Sequence, residues 1–148
     1  MHWADRHGLE LVHQHDGWRP LRGDWMIQLE EAVLRHQQVI LVADQLAAHA
    51  VAAWAAHSRQ TARVRAAWLV ATPALSRLED KARLPSWVPV VCQALPFPAW
   101  SIAAETGAPV QSWGAQVLPL AWPASDDPTW AAGWQSLQSH CLESVETL

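Results

Sequence analysis

Val39-Ile40-Leu41-Val42-Ala43-Asp44-Gln45-Leu46-Ala47-Ala48-His49-Ala50-Val51-Ala52-Ala53-Trp54-Ala55-Ala56-His57 is the stretch that decides the fold. Its first four residues are wholly apolar and rich in β-branched side chains, which is the pattern of a parallel strand covered on both faces. After a break at Ala43-Asp44, residues 45–57 are dominated by alanine, the strongest helix former, with Leu46, Val51 and Trp54 as the larger apolar side chains. A strand that runs at once into a closely packing helix is the first half of a β-α-β unit, because parallel strands need a crossover.

Working outward, residues 9–15 set Leu9, Leu11, His13 and His15 on one side and Glu10, Val12 and Gln14 on the other, the period of a strand. Asp16-Gly17-Trp18-Arg19-Pro20 ends it. Asp24 is expected to cap a helix that carries Trp25, Leu29, Ala32 and Val33 on one face and Gln28, Glu31 and Arg35 on the other. Downstream, Ala66 to Ala71 reads as a strand stopped by Thr72-Pro73, and further strands are expected at 100–104 and 116–120. The proline-bearing connection between those two is too short for a long helix. Asp127 and Pro128 then open a helix with Trp130, Trp134, Leu137 and Cys141 on one stripe. The alternation predicts an α/β fold of three layers, a mostly parallel sheet of about five strands flanked by helices, in one domain over residues 1–148. Chemistry in such sheets sits beyond the carboxyl ends of the strands, here just after Val42, Ala71, Ala104 and Leu120.

Composition narrows the function. With 148 residues, 51% of them hydrophobic, the chain can bury one compact core, and ten basic against fourteen acidic residues leave a net charge of −4. That balance lacks the basic excess that nucleic acid or an anionic membrane surface requires. No apolar run approaches the ~20 residues of a bilayer span. The two cysteines, Cys92 and Cys141, are far apart and no charged-then-apolar leader opens the chain, so a cytoplasmic protein without a disulfide framework is expected. Eleven tryptophans and no tyrosine supply large apolar bodies suited to cores and interfaces alike.

Several short words occur in order: His2-Trp3, Gln14-His15-Asp16-Gly17-Trp18-Arg19-Pro20, Asp24-Trp25, Val39 to Ala43, Ala50 to Ala55, Leu95-Pro96-Phe97-Pro98 and Trp113-Gly114-Ala115. Together they resemble the small YdeN-like serine hydrolases, a branch of the α/β-hydrolase superfamily that includes the retinoblastoma-binding-protein-type enzymes. The resemblance implies a reduced α/β-hydrolase-like fold and places a nucleophile elbow, a strained turn that lifts a serine above the sheet, at Ala43-Asp44-Gln45-Leu46-Ala47. Gln45 stands where the serine belongs, and an amide is not a nucleophile that a base can activate. Ala47 replaces the elbow's second glycine, so the turn is expected to be relaxed. Glu105 is the nearest carboxylate to the family's acid, and residues 121–127 hold no histidine where the family has its base. The resemblance also begins at His2-Trp3, which implies loss of the family's first strand and of the loop that gives part of the oxyanion hole. A triad region reduced to Asp44, Gln45 and Glu105 implies no retained catalysis.

Other constellations are weaker. His13 and His15 share a strand face near His2, His7, Asp5 and Asp16, but no close-packed ligand motif accompanies them, so neither a metal nor a cofactor is expected. His49 and His57 read as polar residues on a helix surface, and Cys92, beside Val90-Val91, as a small buried hydrophobe. The sheet face left bare by a missing strand would be screened by residues 2–7 and the terminal helix. A tryptophan-rich face of that kind, with Trp122, Trp130 and Trp134, is expected to bind a protein partner or a second copy. Two alternatives stand beside this association. One is a re-purposed small-ester hydrolase using Ser101 or Ser125. The other is a small-molecule binder that uses Asp44 and Gln45 in the former active-site crevice.

Overall fold

A computed structural model describes Glu10, Val12 and residues 19–118 of the chain. Helix α1 (Arg22–Leu34) leads into strand β1 (Val39–Asp44), helix α2 (Leu46–His57) and strand β2 (Val64–Val70). A 3₁₀ turn (Thr61–Arg63) precedes β2, and a short helix α3 (Leu78–Arg83) and a second 3₁₀ turn (Pro85–Trp87) precede strands β3 (Ala99–Ile102) and β4 (Gln116–Leu118). The four strands form one sheet in the order β1-β2-β3-β4, and all three pairings are parallel. The α/β architecture is therefore as expected, with four strands among the described residues. The strand expected over 9–15 and the helix expected from Asp127 fall outside the described residues, except for Glu10 and Val12, which are not in a strand.

Burial follows the apolar run in β2 but not in β1, where Ile40 is 43% exposed and Val39, Leu41 and Val42 are only partly buried, so the expectation of a strand covered on both faces is corrected there. In β2 the residues from Ala66 to Val70 are all buried, as a strand covered on both faces requires. One face meets α1 and α2 in a core that includes Leu29, Val33, Ala48, Val51, Ala52, Trp54, Ala67 and Leu69. The small alanines let α2 lie close to the sheet, and its residues Ala48 to Trp54 are buried without a break. The opposite face carries Trp68, Val70, Trp100 and Ile102, each at most 5% exposed.

Two hydrogen-bonded clips fix the helices. The Trp54 indole N–H and the Ser58 hydroxyl both donate to Glu30 Oε1, at 2.9 and 2.6 Å, and so tie α2 to α1. At the other end of α1, the Arg22 amide donates to Ser86 Oγ and its guanidinium to the carbonyls of Trp87 and Pro89. These contacts across some 65 residues start the helix at Arg22 rather than at Asp24, which becomes a first-turn acid facing the helix dipole. Trp87 itself is fully buried, packs edge-on against Trp25 at 5.0 Å and donates its indole N–H to the Pro20 carbonyl.

Candidate functional site

Three neighbouring strands end in the same way. β1, β2 and β3 are followed by Gln45, Ala71 and Ala103, with φ of 56°, 53° and 53°. All three are non-glycine residues in left-handed backbone, which costs of order 1–3 kcal/mol each and persists only where surrounding structure enforces it. The enforcing bonds are visible. The Gln45 amide donates to the Val70 carbonyl at 2.8 Å, and the Ala71 amide to the Ile102 carbonyl at 2.9 Å. The tips of β1 and β2 are thus locked to the last carbonyl of the next strand before the chain turns away.

Gln45 combines φ 56° with ψ −119°, a pair that favours glycine, and stands directly before the first residue of α2. This is the sharp strand-to-helix turn of a nucleophile elbow, still strained, so the expectation that it relaxes is corrected. Ala47 does not loosen it, because its methyl group packs, partly buried, against the core below. Gln45 is exposed and opens onto a crevice of about 520 Å³ whose lining also includes Leu46, Leu75, Arg83, Leu84 and Glu105. Glu105 arrives there because its amide donates to the Thr72 carbonyl at 2.9 Å, continuing the lock between the tips of β2 and β3. The structure therefore brings two of the expected site residues, Gln45 and Glu105, to one crevice. Asp44 ends β1 just before the elbow and does not line that crevice. Partial burial of its carboxyl raises its pKa above the ordinary aspartate value. Trp122, Trp130 and Trp134 lie outside the described residues.

Arg83 and Asp80 are the charged lining residues that sequence reading missed. Helix α3 buries none of its residues, so no apolar period marked it. Asp80 is already paired with Arg77 at 3.2 Å.

The three described histidines are committed elsewhere. His36 and Arg35 pair with Glu10, and His57 Nδ1 faces the Ala53 carbonyl. His49 is 3% exposed, not on the surface as expected. With every residue from Ala48 to Trp54 buried, the alanine helix has no solvent face there. Its Nε2–H donates to the Pro73 carbonyl at 2.6 Å and its ring meets Trp113 edge-on at 5.2 Å. Ser101 is fully buried within β3, so it offers no hydroxyl to the crevice, and Ser125 lies outside the described residues. Cys92 is exposed, also against expectation, since it lies on the loop formed by residues 88–98. Among the described residues no three metal-ligating groups converge, and no helix is long and apolar enough to cross a membrane.

Burial depresses the His49 pKa, and the field of Arg22 pushes the same way, while the Pro73 bond opposes both. The folded protein therefore favours neutral His49, whereas an unfolded histidine takes up its proton near pH ~6.5. Below that pH the unfolded state binds more protons, so stability falls as pH drops from about 6.5 through the lowered folded value. The melting temperature is expected to decline between pH 7.5 and 5.5, and to decline less in His49→Gln. Equal slopes in the two proteins would show that His49 does not carry the dependence.

The family described as serine hydrolase matches residues 1–140 of the chain. No curated protein and no solved structure matches it.

Proposed function

The chain belongs to the serine hydrolase family, and from that membership we propose a protein that has kept the family's site and given up its reaction, binding a small polar molecule without hydrolysing it. The observation that carries this reading is the elbow. Its strained backbone is intact, yet the side chain it presents is the Gln45 carboxamide, which both donates and accepts hydrogen bonds but cannot attack a carbonyl. Strain of this kind concentrates at functional sites, and here it holds an amide at the mouth of a crevice. The resemblance to YdeN-like hydrolases, degenerate at Gln45, Ala47 and Glu105, agrees with a lost triad. Cys92, a free and exposed thiol, suits the reducing cytoplasm expected from the sequence.

The test is reaction with a fluorophosphonate probe, alongside turnover of p-nitrophenyl acetate. No labelling is expected, and ester turnover no faster than that of Gln45→Ala. Stoichiometric labelling, or turnover well above that variant, would return the protein to the active hydrolases.

Association with a second copy or a partner protein is the second reading, and one observation supports it. Ile27 and Leu34 stand seven residues apart on one stripe of α1, 57% and 49% exposed. The described tryptophans lend it nothing, because Trp54, Trp68, Trp87, Trp100 and Trp113 are buried and Trp25 is half-buried. A dimeric mass by light scattering that Ile27→Glu converts to monomer would favour this reading over the first.

A further inference from the structure

Resting on the reading of the crevice as a non-hydrolysing site, we propose that its ligand is a small zwitterion with an apolar body, a free apolar amino acid or a short apolar peptide. The crevice is lined by charges of both signs that are not joined to one another. Arg83 makes no ion pair or side-chain hydrogen bond among the described residues, and neither does the Glu105 carboxylate, which lies within the field of Arg77 while the hydrogen bond of Arg77 goes to Asp80. Asp80, the third charged residue of the lining, is already answered by Arg77. A simple anion would satisfy Arg83 and leave Glu105 facing a like charge, and a simple cation would do the reverse. A molecule carrying both charges answers both.

The residue types fit those two roles. A guanidinium presents a planar fork of N–H donors that matches a carboxylate, and a carboxylate accepts from the N–H groups of an ammonium. Gln45 shares the same lining, and its carboxamide can donate to and accept from the polar middle of a ligand such as a peptide bond. Leu46, Leu75 and Leu84 supply an apolar wall for a hydrocarbon side chain. The volume of about 520 Å³ admits either a single amino acid or a dipeptide, within the ~300–1,000 Å³ of small-ligand sites.

Isothermal titration calorimetry on the whole chain tests the inference with four probes. L-leucine and L-leucyl-L-leucine carry both charges at different separations, 4-methylpentanoate carries only the carboxylate and 3-methylbutylamine only the ammonium. At least one of the two zwitterions should bind, and the better of them should bind roughly ten- to a hundred-fold more tightly than either singly charged probe, the worth of a charge-assisted contact. Arg83→Gln should abolish the preference over the amine, and Glu105→Gln the preference over the carboxylate. Both residues are exposed, so circular dichroism of the variants should match the parent. Heat from neither zwitterion, or equal affinity for a singly charged probe, overturns the inference. That failure is distinct from failure of the underlying reading, which fluorophosphonate labelling and ester turnover decide.

Discussion

Replacing Trp54 with alanine is expected to remove about 3–5 kcal/mol of stability, the usual loss when a large buried aromatic side chain is truncated. The indole is 2% exposed and packed among the α1 and α2 side chains that cover one face of the sheet. Neighbouring helices anchored by their own clips collapse only partly into such a void, so a cavity cost adds to the lost burial. The indole N–H also leaves Glu30, which keeps the Ser58 hydroxyl but loses one of the two bonds joining α1 to α2. Against a total stability of ~5–15 kcal/mol for a domain, this is a large share. Chemical denaturation followed by circular dichroism should show the midpoint falling steeply for Trp54→Ala and much less for Trp54→Phe, which refills most of the volume. A loss below about 1 kcal/mol would mean that α2 is not anchored through this side chain.

Gln45→Gly is expected to act in the opposite direction. Glycine adopts φ 56°, ψ −119° without the clash that a Cβ meets, so relief of strain of order 1–3 kcal/mol is available. Glycine also makes the unfolded chain more flexible, which takes back ~0.5–1 kcal/mol. A net gain of about 1–2 kcal/mol should remain. At roughly 2–4 °C per kcal/mol for a chain of this size, the melting temperature should rise by several degrees. Ligand binding should weaken in the same variant, since the carboxamide goes with the side chain, and this exchange of stability for function is what strain at a working site predicts. A variant no more stable than the parent would show that Gln45 makes compensating contacts that offset the cost of its backbone.

The parts of the fold legible in the sequence were those in which one local signal agreed with its surroundings. Val39 to Val42 and Ala66 to Val70 read as parallel strands because continuous apolar runs of that length serve little else, but only the second is covered on both faces, since Ile40 is 43% exposed and none of Val39 to Val42 is fully buried. The alanine helix followed from propensity alone. That signal carried no direction, however, because a helix of small residues has no polar face to mark, and His49 was therefore placed outside when it lies inside. Cys92 failed in the opposite sense, since its valine neighbours suggest a burial that the loop over residues 88–98 does not give it. Helix α3 and Arg83 were hidden because a six-residue helix that buries none of its residues needs no apolar pattern. The elbow's strain was misjudged because propensity weighs a residue against its own backbone. The bond from the Gln45 amide to Val70, which holds the turn, joins residues that only the folded sheet makes neighbours.

The order of the strands bears on how the protein is made. Among the described residues β2, β3 and β4 each pair with the strand immediately before them in the chain, so no described segment has to be inserted between two earlier strands. As the polypeptide leaves the ribosome, β1, α2 and β2 can close their β-α-β unit while the residues of β4 are still being synthesised. The edge of β2 then serves as a template for β3. Loop closures stay short at every stage, which favours rapid assembly and limits the time that an unpaired apolar strand is open to aggregation.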